Sequence, residues 1–256
     1  MQLAQRFAGE TIAAIGLTGS FARGDAGPYS DVDLLRLART EEYDTTDKVS
    51  HWIDDRLVNV STLTPSGIEA IFTDPGLATQ QVAGLRDVRI LIDSDGHLER
   101  LHSRAVQFAW DDNLQQQANV TASRDMVGWA EEAYKGLEGL RRDDPARLLQ
   151  ARFGCTWGLS SVIRVQRGIL LASDNDVIAA IDAEMADEPE WVRLRHRAFG
   201  LSVDGHTTDL RQQVEAGLRL YVATAILLEP VFEGQDRELI WAAVDRIRSA
   251  LEMEQP

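Results

Sequence analysis

The residues of this sequence whose types and spacing could do chemistry are Gly19 and Ser20, followed by Asp31 and Asp33. A glycine lets a bulky anion come close to the backbone. A serine beside it can cap a short helix, whose free N–H groups then face a phosphate. Side chains two apart on a strand point the same way, so Asp31 and Asp33 project to one side. Two adjacent carboxylates repel unless a cation lies between them. Mg2+ is the ion expected, because it takes carboxylate oxygens together with substrate phosphate oxygens. A phosphate cradle beside a carboxylate-held metal is the equipment of nucleotidyl transfer, in which the metal neutralises a triphosphate and orients it for in-line displacement. Taken singly, an Asp-x-Asp is usually a solvated strand end, and a Gly-Ser pair is a common helix cap. The joint pattern, with Arg23 between the two halves and a strand after Ser30, is far more specific.

These residues need a sheet to hold them. Short apolar runs at Ile12–Thr18, Val32–Ala38, Arg56–Leu63 and residues 88–93 predict strands, the last closed by the turn signal Ser94-Asp95-Gly96. Residues 65–72 read as a short helix with Pro65 in its first turn, and Asp74-Pro75-Gly76 then breaks the chain. Near residue 108 the pattern changes to long helical periodicities over residues 119–141, 146–171, 174–185, 191–199, 210–228 and 237–251. The expectation is an α+β protein: a mixed sheet with flanking helices over residues 1–108, then a helical bundle over residues 109–256. The six Trp residues are expected mainly in the helical cores.

Composition sets limits. With 44% hydrophobic and 26% charged residues, the chain is an ordinary folded one rather than a disordered or fibrous one. No apolar run approaches the ~18–20 residues of a membrane-spanning helix. The polar start, MQLAQRFAGE, does not read as a secretory signal, and with Cys155 the single cysteine, neither an internal disulfide nor a Cys-based zinc site is possible. A cytoplasmic location is expected. A net charge of −15 argues against a broad phosphate-backbone binder and for steering of a cationic small molecule, although an acidic surface commonly serves solubility alone.

The Gly19-Ser20…Asp31-x-Asp33 pattern resembles the polymerase-β-type nucleotidyltransferase superfamily. Within it the chain is similar to the kanamycin nucleotidyltransferase group of aminoglycoside-modifying enzymes. The stretch Gly27-Pro28-Tyr29-Ser30-Asp31 resembles that group's loop, and residues 90–99 resemble its last strand and following helix. A helix carrying Glu131 and Lys135 resembles its acid-and-lysine helix, so the likeness spans residues 10–170. The resemblance implies that Asp31 and Asp33 hold Mg2+ with ATP, and that Ser20 and Arg23, with Gly19 and Ser30, meet the nucleotide. It also implies that Glu131 is the general base and that Lys135 steadies the phosphates. It further implies AMP transfer to a hydroxyl of a small cationic acceptor such as an aminoglycoside, with release of pyrophosphate, and a homodimer. A toxin-type relative modifying protein or RNA, or a weakened nucleotide-binding module, are the alternatives. Asp33 stands where the kanamycin enzymes place a Glu; an Asp there matches the wider superfamily. Asn59 stands where many members carry a third carboxylate; an amide cannot act as a general base and is a poor metal ligand.

Spacing alone gives other residues plainer roles. Glu131 and Lys135, at i and i+4, read as an exposed helical ion pair, and Glu132 is an alternative base. His51, His97, His102, His196 and His206 lack zinc spacing and read as surface or structural residues. Cys155 reads as a core residue, and Asp182 to Glu190 as a solvated helix end.

Overall fold

The structure, a computed structural model, describes residues 2–42, 49–201 and 205–253. After a short helix α1 (Gln2–Gln5), strand β1 (Ile12–Thr18) leads straight into α2 (Gly19–Arg23), and β2 (Val32–Ala38) follows. Then come β3 (Val49–Ile53), β4 (Arg56–Leu63), α3 (Pro65–Thr73), α4 (Pro75–Arg86), β5 (Arg89–Asp93) and α5 (His97–Gln107). The sheet order is β3-β4-β2-β1-β5, with β2 and β4 parallel and the other neighbours antiparallel.

β1 and β2 are central, as their apolar runs require, and side-chain alternation sorts the residues of β2. Leu35 and Leu37 pack with Ile71, Phe72, Val82, Leu98 and Leu101 from α3, α4 and α5. Leu34 joins Val58 and Val60 on the opposite face, where Leu3 and Phe7 cover them. Burial of each such side chain stabilises the fold by about 1.5–3 kcal/mol. Asp33 therefore lies on the face of Leu35 and Leu37, at the end of the strand where the apolar run gives out.

Two elements of this unit depart from expectation. β3 is a five-residue edge strand of alternating exposure, joined to β4 through Asp54 and Asp55, both at positive φ (48° and 58°). That backbone suits the tight hairpin in which both central residues are left-handed, and aspartate tolerates it. Asp74-Pro75-Gly76 does break the chain, but it also starts α4: the Asp74 carboxylate accepts from the Leu77 N–H, and Pro75 occupies the first turn.

The chain forms two compact units, Met1–Leu114 with Leu170–Val177, and Gln115–Ile169 with Ile178–Pro256. Helix α6 (Asp112–Arg142) enters the second unit, followed by α7 (Pro145–Phe153), a π-helical turn (Gly154–Gly158) and α8 (Leu159–Gln166). The expected helix over residues 146–171 is thus interrupted by a wide turn and ends five residues early, before Gly168 at φ 63°. α9 (Val177–Glu184), α10 (Pro189–Phe199), α11 (Leu210–Leu227) and α12 (Gly234–Met253) complete the bundle. α11 opens with a capping box in which Asp209 and Gln212 satisfy each other's backbone N–H groups.

Of the tryptophans, Trp191 is buried and donates to Thr224 Oγ1 at 2.9 Å, but Trp157 is 45% and Trp52 72% exposed. The expectation of mainly buried rings fails: only Trp191 of the six is fully buried, while Trp110, Trp129 and Trp241 are half-buried and Trp52 lies on an edge strand. Cys155 is buried, and burial, then the nearby Glu132, pushes its thiol up to about 12. Asp182 is no solvated helix end. It accepts from the fully buried Arg195 guanidinium at 2.8 Å and bonds His196 Nε2 at 2.6 Å. Among the described residues no helix is long and apolar enough to cross a membrane.

Candidate functional site

Strand register brings the acids together. Thr18 on β1 and Asn59 on β4 flank Asp33 as its ladder partners on either side. Asp31 precedes β2 by one residue. Both carboxylates converge on one group: Asn59 Nδ2 donates to Asp31 Oδ2 at 2.5 Å and to Asp33 Oδ1 at 3.4 Å. Asn59 Oδ1 accepts from Ser50 Oγ at 2.7 Å across the β3–β4 pair. Both acids are half-buried, and Asn59 is buried.

Gly19 makes the approach of α2 possible. Its φ is +67°, and a Cβ there would collide with Asp33 Oδ2. No side chain of ordinary handedness fits this position without moving the carboxylate. The expectation that Ser20 caps the helix is corrected. Thr18 is the N-cap residue, with no side-chain cap bond, because the left-handed Gly19 starts the helical turn one residue earlier. The Ser20 carbonyl instead accepts from the N–H groups of Gly24 and Asp25 at 2.8 and 3.1 Å, closing the turn.

Arg23 is committed to the fold. Its Nε donates to Asp25 Oδ2 at 3.2 Å and its Nη1 to the Ala172 carbonyl at 3.1 Å, so a phosphate would meet only the Nη2 edge. The Ala172 contact had no signal in the sequence, since the two residues lie 149 apart. Ser30 Oγ accepts from the Gly27 N–H at 2.9 Å and so shapes the loop that delivers Asp31.

In the helical unit, Lys135 bonds two acids: Glu132 Oε1 at 2.7 Å and Glu131 Oε1 at 3.0 Å. The hydrogen bond it donates to Glu132, then that to Glu131, raises the lysine above its ordinary value, so it stays protonated. The two glutamates differ in setting. Glu131 is 76% exposed; Glu132 is 17% exposed, and its Oε2 is buried without a hydrogen-bond partner among the described residues. The π turn encloses it: Gly154 lies so close that a Cβ there would touch Glu132 Cβ and Cγ at 2.5 Å.

Among the described residues, no three His, Cys, Asp or Glu side chains gather as an ion site. Two carboxylates remain, a number that suits Mg2+, which usually takes one or two carboxylates and completes its shell with water and substrate phosphates.

The Gly19-Ser20 turn and the acid pair both lie within the stretch that a family model covers. Residues 1–77 match the family model described as nucleotidyltransferase domain, so the chain carries such a domain. The fold is similar to that in the crystal structure of a nucleotidyltransferase-like protein from Exiguobacterium sibiricum 255-15, with a TM-score of 0.51 and 12% identity, over 98% of this chain and 77% of the other. No curated protein matches the sequence.

Proposed function

We propose that the chain is a Mg2+-dependent nucleotidyltransferase of the kanamycin nucleotidyltransferase kind, moving AMP from ATP to a hydroxyl of a small cationic acceptor such as an aminoglycoside. The observation that carries this reading is the convergence of Asp31 and Asp33 beside the Gly19 turn, inside the stretch that matches the nucleotidyltransferase domain.

Asp31 and Asp33 hold the ion, which when bound supplies charge neutralisation and alignment of the triphosphate. Gly19, Ser20 and Ser30 border the phosphates, and Arg23 offers its remaining edge. The acceptor oxygen forms a bond to the α-phosphorus as the bond to the bridging oxygen breaks, and pyrophosphate leaves with that electron pair. The acceptor's proton passes to the Glu131 carboxylate. Glu132 is the second candidate base, favoured by its partly sheltered carboxylate with an unpartnered oxygen. Lys135, held protonated, supplies positive charge for phosphate oxygens. The net charge of −15 favours capture of a cationic acceptor. A cytoplasmic homodimer completes the proposal, on resemblance.

A weakened nucleotide-binding module is the second reading, favoured by Asn59 at the third-acid position. Incubation with Mg2+, labelled ATP and an aminoglycoside panel separates the two. Aminoglycoside-dependent pyrophosphate release supports transfer, nucleotide binding without turnover supports the module, and labelling of protein or RNA moves the acceptor to a macromolecule.

A further inference from the structure

Asn59 is 6% exposed, and both ends of its amide are engaged. Nδ2 faces Asp31 Oδ2 at 2.5 Å and Asp33 Oδ1 at 3.4 Å, and Oδ1 takes the Ser50 hydroxyl proton at 2.7 Å. The positive end of a neutral dipole therefore sits against two anions and offsets part of their repulsion. It also touches oxygens that a cation would need.

The two demands conflict. An N–H pointed at a divalent ion is repelled by it, and a buried amide cannot swing away into water without leaving polar groups unsatisfied. The two ends of a primary amide are nearly equal in shape. A half-turn about the last side-chain torsion exchanges Nδ2 for Oδ1. The Ser50 hydroxyl, which can donate or accept, keeps its bond in either state.

We propose that Asn59 is a positioning residue with two states: N–H groups toward Asp31 and Asp33 in the metal-free protein, and carbonyl oxygen toward the ion in the loaded protein, with Ser50 Oγ changing from donor to acceptor. The proposal rests on the reading of Asp31 and Asp33 as the metal pair. Two consequences follow. The acid pair is assembled before the ion arrives, and the cluster has two acids rather than three, so it binds divalent ions more weakly than a three-acid version would.

The test is a Mg2+ titration followed through the side-chain amide NMR signals of Asn59, assigned by their loss in Asn59→Leu. Free Mn2+ is measured in parallel by electron paramagnetic resonance. The Asn59 signals should move with the same midpoint as metal binding. Asn59→Asp should bind Mn2+ about tenfold more tightly and unfold at lower temperature in chelator, and Asn59→Leu should bind it about tenfold more weakly. Asn59→Asp keeps the side-chain volume, so it remains informative where the leucine variant does not fold. Unmoved Asn59 signals alongside Mn2+ binding that Asp31→Asn abolishes would overturn the amide switch and leave the acid pair standing. Unchanged Mn2+ affinity in a folded Asn59→Leu would do the same. No Mn2+ binding by the native chain at millimolar concentration would remove both.

Discussion

The polar clusters around Arg195 and around Asn59 are both built into the protein, but their charges are arranged differently. In the helical unit, the buried Arg195 meets Asp182, its Nε donates to Ser160 Oγ at 2.9 Å, and Phe199 lies 5.3 Å from the guanidinium carbon. Burial pulls that guanidinium below its ordinary value, and Asp182 opposes the pull. A cation faces an anion, which is the arrangement of a structural network. In the sheet unit, two anions face the donor end of one neutral amide. Such an arrangement leaves the repulsion of two anions only partly offset. On the proposed function, the contrast separates a cluster that holds the protein together from one that would hold a ligand.

Substitutions can break or sharpen that contrast. The largest effect is expected for Asp33→Asn, which should lower turnover at least about 1,000-fold, as for loss of a principal transition-state contact. Its stability in chelator should change by no more than about 1 kcal/mol, because relief of like-charge repulsion offsets the weakened hydrogen bond from Asn59. Asp182→Asn should do the opposite. It leaves Arg195 buried without its anion and should cost about 3 kcal/mol in urea unfolding, with Mn2+ affinity unchanged. If Asp182→Asn weakened Mn2+ binding, the division into structural and ligand-holding clusters would fail. Glu131→Gln should reduce turnover about 100-fold with ATP affinity retained; if Glu132→Gln has that effect instead, the base is the sheltered carboxylate.

A further effect, seen only at alkaline pH, concerns Cys155. Its thiol, raised to about 12 from an ordinary 9.0, keeps its proton in the folded state where the unfolded chain has lost it. Stability from this group is complete below pH 9.0 and declines as pH rises toward 12, by up to about 1.4 kcal/mol per pH unit. Alkylation at pH 8 should therefore proceed only as fast as the protein unfolds. Rapid labelling of the native protein would contradict the burial.

Much of the site's frame is legible in the sequence because its signals are local. β1, β2 and β4 are apolar runs with turn residues at their ends, and the two aspartates sit two apart at a strand start. β3 was not, because five residues with Ser50 and His51 among them, at a sheet edge, show no apolar pattern. α4 was hidden because proline and aspartate mark both the end of one helix and the start of another. The π turn at Gly154–Gly158 keeps helical spacing and so looks like uninterrupted helix. The part of the site least readable in advance is the hydrogen bonding of Asn59 and Arg23. Asn59 can be placed beside Asp33 by likeness, but its bond to Ser50 and its hold on both acids depend on strand register. The Arg23–Ala172 contact depends on a return of the chain across 149 residues.

The central claim is that Asp31 and Asp33 together hold a divalent cation. Anomalous scattering from crystals of the protein soaked in Mn2+ with a non-hydrolysable ATP analogue tests it most directly. The predicted result is a manganese peak between the two carboxylates, adjoining the analogue's phosphates and the Gly19-Ser20 turn. A peak elsewhere with that space left unfilled, or phosphates bound away from both aspartates, would contradict it.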